Sequence, residues 1–246
     1  GQIDAGPGLQ WDVRQADLDT LKQSHPNLRF QDMLANNATT IWMRTDNSPF
    51  TDMRVRRAIS HAIDRQGVIE AVWMRGELSP AVPRGLAEWS LPIDQLGEGA
   101  TYYRYDPQEA RRLLAEAGYA KGFKTALNAT GGYGRDLLDA AQMVQRYLKE
   151  VGIEVELKIQ AYGAYQATTG QGKFEGLAMG PYALGWEADS SLYGQYMPDQ
   201  LRNRGHVNDP KLTAMVKEQR RLKDPEARKQ LIFDIQRYAA EQQYYV

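Results

Sequence analysis

The chain contains no cysteine. That excludes a disulfide framework, a thiolate nucleophile and Cys-based metal sites. Its three histidines, His25, His61 and His206, are far apart in sequence and lack metal-ligand spacing. No apolar run approaches the roughly 20 residues that a membrane span needs. Charge of either sign is not in excess, with 30 Lys and Arg against 31 Asp and Glu, so no strong field recruits nucleic acid or an anionic membrane. The opening Gly1-Gln2-Ile3-Asp4 has neither the basic start nor the apolar stretch of a signal peptide. The expectation is therefore a cytosolic protein or a mature or shortened piece. Gly170-Gln171-Gly172-Lys173 lacks the first glycine and the closing Ser or Thr of a phosphate loop, and Gly132-x-Gly134 is too short for a dinucleotide turn. The carboxylates form no pair that would argue a glycosidase.

The remaining composition is that of a globular protein: 246 residues, 42% apolar and 25% charged. The chain is organised around Pro49 to Arg65. Pro49 disfavours helix before it, and Thr51 or Asp52 can cap the first turn. Val55, Ala58, Ile59, Ala62 and Ile63 then form one apolar stripe, which leaves Arg54, Arg57 and Arg65 towards water. Arg56 belongs with Arg54 and Arg57 to a solvated face or a helix–loop salt bridge. Asp64 can cap a second helix with the stripe Val68, Ile69, Val72 and Trp73, ended by Gly76. Downstream, Asp106-Pro107-x-Glu109 reads as a capping box with Pro at the first helical position. Ala110, Leu113, Leu114 and Ala117 are its buried stripe, and Gly118 its stop.

Phe123, Thr125 and Leu127 alternate as a strand. Arg135–Val151 is a helix with Leu138, Ala141, Gln145 and Leu148 on one face, closed by Gly152. Ile153, Val155, Leu157 and Ile159 alternate with Glu154, Glu156 and Lys158, a strand with one wet face. Together these predict a parallel βαβ unit. Gly1–Leu9 reads as a short strand and turn-rich loop, Gln15–Ser24 as a helix with Leu18 and Leu21 inward, and Leu28–Arg44 as extended. Ser79–Ala100 is a long loop, of the kind that is functional or wraps a surface. Tyr162–Thr169 is a short helix and Leu177–Leu184 a strand. Two helices follow, capped by Asn208 or Asp209 and by Asp224, and Tyr244-Tyr245-Val246 begins a strand.

Three of these passages carry a resemblance. Asn47-x-Pro49-Phe50-x-Asp52-x-x-Val55-Arg56-x-Ala58-Ile59-x-x-Ala62-Ile63-Asp64-Arg65 is similar to a signature of the family 5 solute-binding proteins, the extracytoplasmic receptors of ABC importers. Tyr105-Asp106-Pro107-x-x-Ala110-x-x-Leu113-Leu114-x-x-Ala117-Gly118-Tyr119 and Leu148-Lys149-x-x-Gly152-Ile153-x-Val155 resemble the same family. The resemblance implies an α/β fold, a mixed sheet with flanking helices, forming mainly the second lobe of a two-lobe type II periplasmic binding protein. It implies that residues 1–36 end the larger lobe and hinge, that 37–246 form the smaller lobe, and that the chain is a shortened piece. It implies a short peptide, oligosaccharide or nickel chelate as ligand, ABC permease subunits as partner, no cofactor, and a monomer outside the cytoplasm, held to the membrane only through the permease or a lipid anchor.

Gly185-Trp186-Glu187-Ala188-Asp189 is the first candidate site, because open α/β sheets bind ligands beyond strand carboxyl ends. Trp186 offers a flat apolar face, and Asp189 a charge-assisted acceptor. In peptide-binding members a Trp-x-x-Asp here resembles the clamp for the peptide α-amino group. The chain departs from them in reading Ser190-Ser191-Leu192-Tyr193 where a Tyr-x-x-Pro is often found. The other reading makes Trp186 core and Asp189 a cap. Tyr182 and Tyr193, clustered with Tyr162, Tyr165 and Tyr196, suit a sugar or peptide surface or half-buried packing. Asn36 and Asn37 could bond a ligand backbone or simply break a strand. The competing classes are a small α/β enzyme with a site not visible in sequence and a sensor domain built on the same lobe.

Overall fold

A computed structural model describes residues 15–31, 34, 36–183 and 185–246. The reading of Gly1–Leu9 lies outside the described residues. In chain order the elements are α1 (Gln15–Ser24), β1 (Asn37–Met43), α2 (Met53–Ala62), α3 (Arg65–Val68), α4 (Pro107–Glu116), β2 (Phe123–Thr130), α5 (Arg135–Glu150), β3 (Ile153–Gln160), α6 (Tyr162–Ala167), β4 (Leu177–Ala183), α7 (Ala188–Tyr196), α8 (Pro210–Gln219) and α9 (Pro225–Gln242). The four strands form one mixed sheet in the order β1-β4-β2-β3. β2 runs parallel to β3, with Phe123 opposite Ile153 and Thr130 opposite Gln160. β2 is also parallel to β4, whereas β1 is antiparallel to β4 with Asn37 opposite Ala183. Tyr245 bridges Trp42, and Ile41 and Val246 exchange backbone bonds of 2.6 and 3.1 Å, so the last residues lie antiparallel along the free edge of β1.

Alternation along β1 divides the core. Ile41 and Met43 point into the larger cluster with α2, α4 and α5, while Trp42 points to the other face with Tyr165, Phe174 and Ala178. The α5 stripe differs from the expected one. Leu137, Ala140, Ala141, Val144 and Leu148 are buried, whereas Leu138 is only partly covered. Gln145 is half-buried and donates to the Val155 carbonyl at 2.8 Å. A second cluster joins α7, α8 and α9 through Leu192, Leu212, Val216, Ile232 and Ile235. The long loop wraps this side: Val82, Leu91 and Leu96 are buried, and the buried Gln236 bonds Leu91 N and Trp89 O at 3.1 and 2.8 Å.

Helix caps follow from sequence. Asp52, Asp64, Asp106, Asp209 and Asp224 each accept from a first-turn N–H. The capping box is not completed, because Glu109 pairs with Arg112 at 2.6 Å and Asp106 N instead donates to His61 O at 2.8 Å. The second helix is only α3 plus one wider π turn (Ile69–Trp73), and left-handed Met74 (φ 63°), not Gly76, terminates it.

The arginines of the signature correct the solvated-face reading. Arg54 alone is exposed, paired with Asp52 at 2.6 Å. Arg56 is buried, and its Nη1 donates to Phe50 O (2.9 Å) and Thr51 O (3.1 Å) while Nε donates to Gln242 O (3.0 Å). Arg57 donates to Glu241 O at 2.9 Å, and Arg65 to Ser60 O at 3.0 Å. Helical periodicity predicts which way a side chain starts, but a long arginine stem can turn to carbonyls of another segment. Burial lowers the Arg65 guanidinium to about 10.

Candidate functional site

The carboxyl ends of β2, β3 and β4 emerge on one edge of the sheet, and β1 starts there. The edge therefore gathers Asn36 and Asn37, the Gly131–Tyr133 turn, Tyr162, and the segment leading to Trp186. It is where an open α/β sheet leaves unpaired strand ends facing a crevice. Asn36 and Asn37 are half-buried, and the backbone register sets Asn37 against Ala183, three residues before Trp186.

Trp186 is 91% exposed, so the reading of this residue as core does not describe it. Glu187, not Asp189, caps α7 by accepting from Asp189 N at 2.8 Å. The Asp189 carboxylate instead accepts from the Nε2 of Gln219, a fully buried residue, and lies 3.5 Å from Arg220 Nε. Arg220 in turn lies over the Tyr193 ring at 4.2 Å. Arg228 joins the same network by donating to Glu187 and to Gln219 Oε1, the latter at 3.0 Å. The loop that carries Trp186 is thus fastened to the α8–α9 junction by charge-assisted bonds. Tyr182 is buried and donates to Ser191 O at 3.2 Å; burial pushes its phenol well up. Tyr193 is half-buried under Arg220, so of the candidate aromatics only Trp186 presents a full free face.

Two residues at the edge escaped the sequence reading as site members, Tyr133 and Gln166. Tyr133 follows the Gly131-Gly132 turn, which Thr130 caps by accepting from Gly132 N at 3.2 Å. Its ring meets Tyr162 edge-on at 5.3 Å and Tyr165 at 6.0 Å. Gln166 Nε2 donates to both Tyr133 Oη (2.9 Å) and Tyr162 Oη (2.8 Å). Gly132 is required for this approach, since a Cβ there would stand 2.2 Å from the Tyr162 ring. The available signal was the Gly-Gly pair directly after an apolar strand.

The rest of the surface offers less. Among the described residues no group of three or more His, Asp or Glu could hold a metal. Ser60 and His61 direct their side chains to the Tyr102 and Arg104 carbonyls at 2.6 and 3.0 Å, so they form no dyad. A depression of about 710 Å³ lined by Ser48, Lys124, Glu154, Glu156 and Glu175 lies at the amino ends of β2 and β3, away from Trp186. Among the described residues no helix is long and apolar enough to cross a membrane.

Comparison with known proteins gives this geometry a context. Residues 1–202 match the family model described as bacterial extracellular solute-binding proteins, family 5, middle. The chain is 29% identical over 241 residues to di/tripeptide-binding protein 1 of Pseudomonas aeruginosa, covering 93% of this chain and 42% of that protein. It is 36% identical over 110 residues to heme-binding protein A of Haemophilus influenzae, covering 45% of this chain and 19% of that one. The fold superposes on the periplasmic binding protein DppA of Helicobacter pylori, solved with the peptide STSA, with TM-score 0.82 at 22% identity, over 96% of this chain and 45% of that one. The chain spans less than half the length of these relatives. Its mixed sheet with flanking helices is the fold expected for one lobe of a type II periplasmic binding protein.

Proposed function

The chain belongs to the bacterial extracellular solute-binding proteins of family 5, and we propose from this that the intact protein captures a short peptide outside the cytoplasm and delivers it to an ABC permease. The family is one of binding proteins and not of enzymes. The observation that carries the reading is Trp186, an indole almost wholly in water on a loop fastened by Glu187 and Asp189. A large aromatic left in solvent is unfavourable for a lone lobe and favourable once a ligand or facing surface covers it.

In this reading residues 37–246 are the smaller lobe, and residues 1–36 end the larger lobe and the hinge. Two features support the division. β1 begins at Asn37, and Tyr245–Val246 runs antiparallel beside it towards the Asn37 end, so two adjacent segments approach the candidate cleft edge together. Crossing segments of this kind can absorb the rotation when lobes close on a ligand. Trp186, Tyr193, Asn36 and Asn37 then line or support the cleft, Tyr182 backs it, and Asp189, its carboxylate engaged by Gln219 and Arg220, holds the Trp186 loop in place. The peptide is favoured over other solutes by the length of the match to a di/tripeptide-binding relative.

A thermal-shift screen of the intact protein tests this, with di- to pentapeptides, cello- and xylo-oligosaccharides, nickel chelates and heme as probes. A ligand that binds only the native state raises Tm by mass action, equivalent to about 2.7 kcal/mol at a hundredfold excess over Kd. Peptides are expected to shift Tm, and Trp186→Ala to remove the shift. A shift with sugars, nickel chelate or heme alone would replace the peptide reading and leave the family intact.

A further inference from the structure

Asp189 follows the exposed Trp186 by three residues, and a carboxylate standing alone there would draw a cationic group of a ligand. It does not stand alone. Its Oδ1 accepts from Nε2 of the fully buried Gln219, and its Oδ2 lies 3.5 Å from Arg220 Nε. The Asp189 side chain is 21% exposed and that of Arg220 49%, so the guanidinium is the outer partner. Arg220 is held in turn, its guanidinium lying over the Tyr193 ring at 4.2 Å. Each charge also suits its helix end, with Asp189 in the first turn of α7 and Arg220 at the last residue of α8. The other carboxylate of the loop is matched in the same way. Glu187 accepts from Arg228, whose Nε also donates to Gln219 Oε1 at 3.0 Å. Two carboxylates thus meet two guanidiniums, with Gln219 joining the pairs, and the network beside Trp186 carries no net charge.

We propose that Arg220 determines specificity at this edge: it denies the Asp189 carboxylate to an ammonium, and the subsite takes an uncharged flat or apolar group of the ligand against Trp186. An ammonium approaching Asp189 Oδ2 meets the half-exposed guanidinium of Arg220, and like charges brought together in a binding surface are strongly penalised. An uncharged group meets no such penalty and gains by covering the indole. Arg220 therefore acts by rejecting one class of ligand group, which is one of the two ways a binding site becomes specific. The inference rests on the solute-capture reading and narrows it, because it seats a peptide with its ammonium away from Asp189.

Calorimetric titration of the intact protein with di- and tripeptides tests this, each paired with its des-amino analogue, in which hydrogen replaces the ammonium. The quantity read is the ratio of the two dissociation constants and how far each variant moves it. Both members of a pair are measured on the same preparation, so a partly unfolded variant cannot mimic a shift. Asp189→Asn is expected to stay within about threefold of the wild-type ratio, because the carboxylate holds no ligand ammonium. Arg220→Gln should move the ratio about tenfold or more towards the free amine, the range for a hydrogen bond to a charged group. Arg220→Lys keeps a cation in place and should remain within about threefold of wild type, which a loss of structure at Arg220 would not explain. Arg220→Gln combined with Asp189→Asn should return to the wild-type ratio. A preference for the free amine that drops about tenfold in Asp189→Asn, or a ratio unmoved by Arg220→Gln, would overturn the role of Arg220 and leave peptide capture standing. Failure of every peptide and analogue to bind would instead overturn the peptide reading, and this narrowing of it.

Discussion

Tyr244 donates its hydroxyl to the Asp209 carboxylate at 2.6 Å, which ties the last turn of the chain to the cap of α8. The same Oδ2 accepts from Tyr238 at 2.8 Å, and Oδ1 accepts from Lys211 N at 2.8 Å and Leu212 N at 3.1 Å. Burial alone would raise this carboxyl, but the bonds from Tyr244, Leu212, Tyr238 and Lys211 together outweigh it, and the net direction is below the ordinary 3.8. A depressed folded value means the stability is fully present above pH 3.8 and is lost as pH falls through the lower folded value. Urea melts across that window should show the loss, and Asp209→Asn should be flatter there while costing about 1 kcal/mol at neutral pH, because the Tyr238 and Tyr244 bonds lose their charged acceptor. A variant that retained the wild-type acid limb would refute the assignment.

Arg56 is expected to resist even the substitution by lysine. Its guanidinium satisfies three carbonyls from two segments and stacks on the Tyr244 ring at 4.9 Å. An ammonium is a point charge without the planar fork. Arg56→Lys should lower stability by about 2 kcal/mol, as a buried carbonyl is left without its donor. Amide exchange at Val246, which donates to Ile41 O at 3.1 Å, should quicken in parallel. An unchanged urea midpoint would show that the carbonyls find water.

Trp186 and Asp189 should separate binding from stability. Trp186→Ala removes a side chain that is 91% exposed, so the unliganded protein should change by less than about 0.5 kcal/mol while losing ligand response. Asp189→Ala should do the opposite without ligand, costing about 1–3 kcal/mol, since it strips the acceptor from the buried Gln219. Differential scanning of the two variants with and without ligand gives both readings.

Two glycines with similar backbone should differ sharply. Gly122 (φ 74°) would place a Cβ 1.8 Å from Gly152 O, whereas Gly118 (φ 88°) faces open space. Gly118→Ala should cost about 1–2 kcal/mol from left-handed strain alone. Gly122→Ala should cost clearly more, because the backbone between β2 and the α5–β3 turn must also move. Equal denaturation midpoints would contradict the close approach.

Local and periodic features were legible in the sequence. The aspartate caps, the βαβ unit around α5, and the βα edge that carries Trp186 all follow from nearest-neighbour chemistry and repeat period. The family signature at Pro49–Arg65 could be read the same way, since contiguous residues carry it. Exposure and partnership could not. Periodicity placed Arg57 and Arg65 on the wet side of a helix, while their stems reach carbonyls of Glu241 and Ser60. Glu109 sat at the right spacing for a capping box, but Arg112 one turn away is the stronger partner.

The sequence by itself determined the α/β class, the caps, and the family, because these depend on short-range spacing. Only the tertiary structure decided what each candidate residue touches. Trp186 stands in water, Asp189 meets Gln219 thirty positions away, and Gln166 gathers Tyr133 and Tyr162. Long polar side chains choose partners by distance in space, and distance in space between such residues is fixed only when strands pair and helices pack.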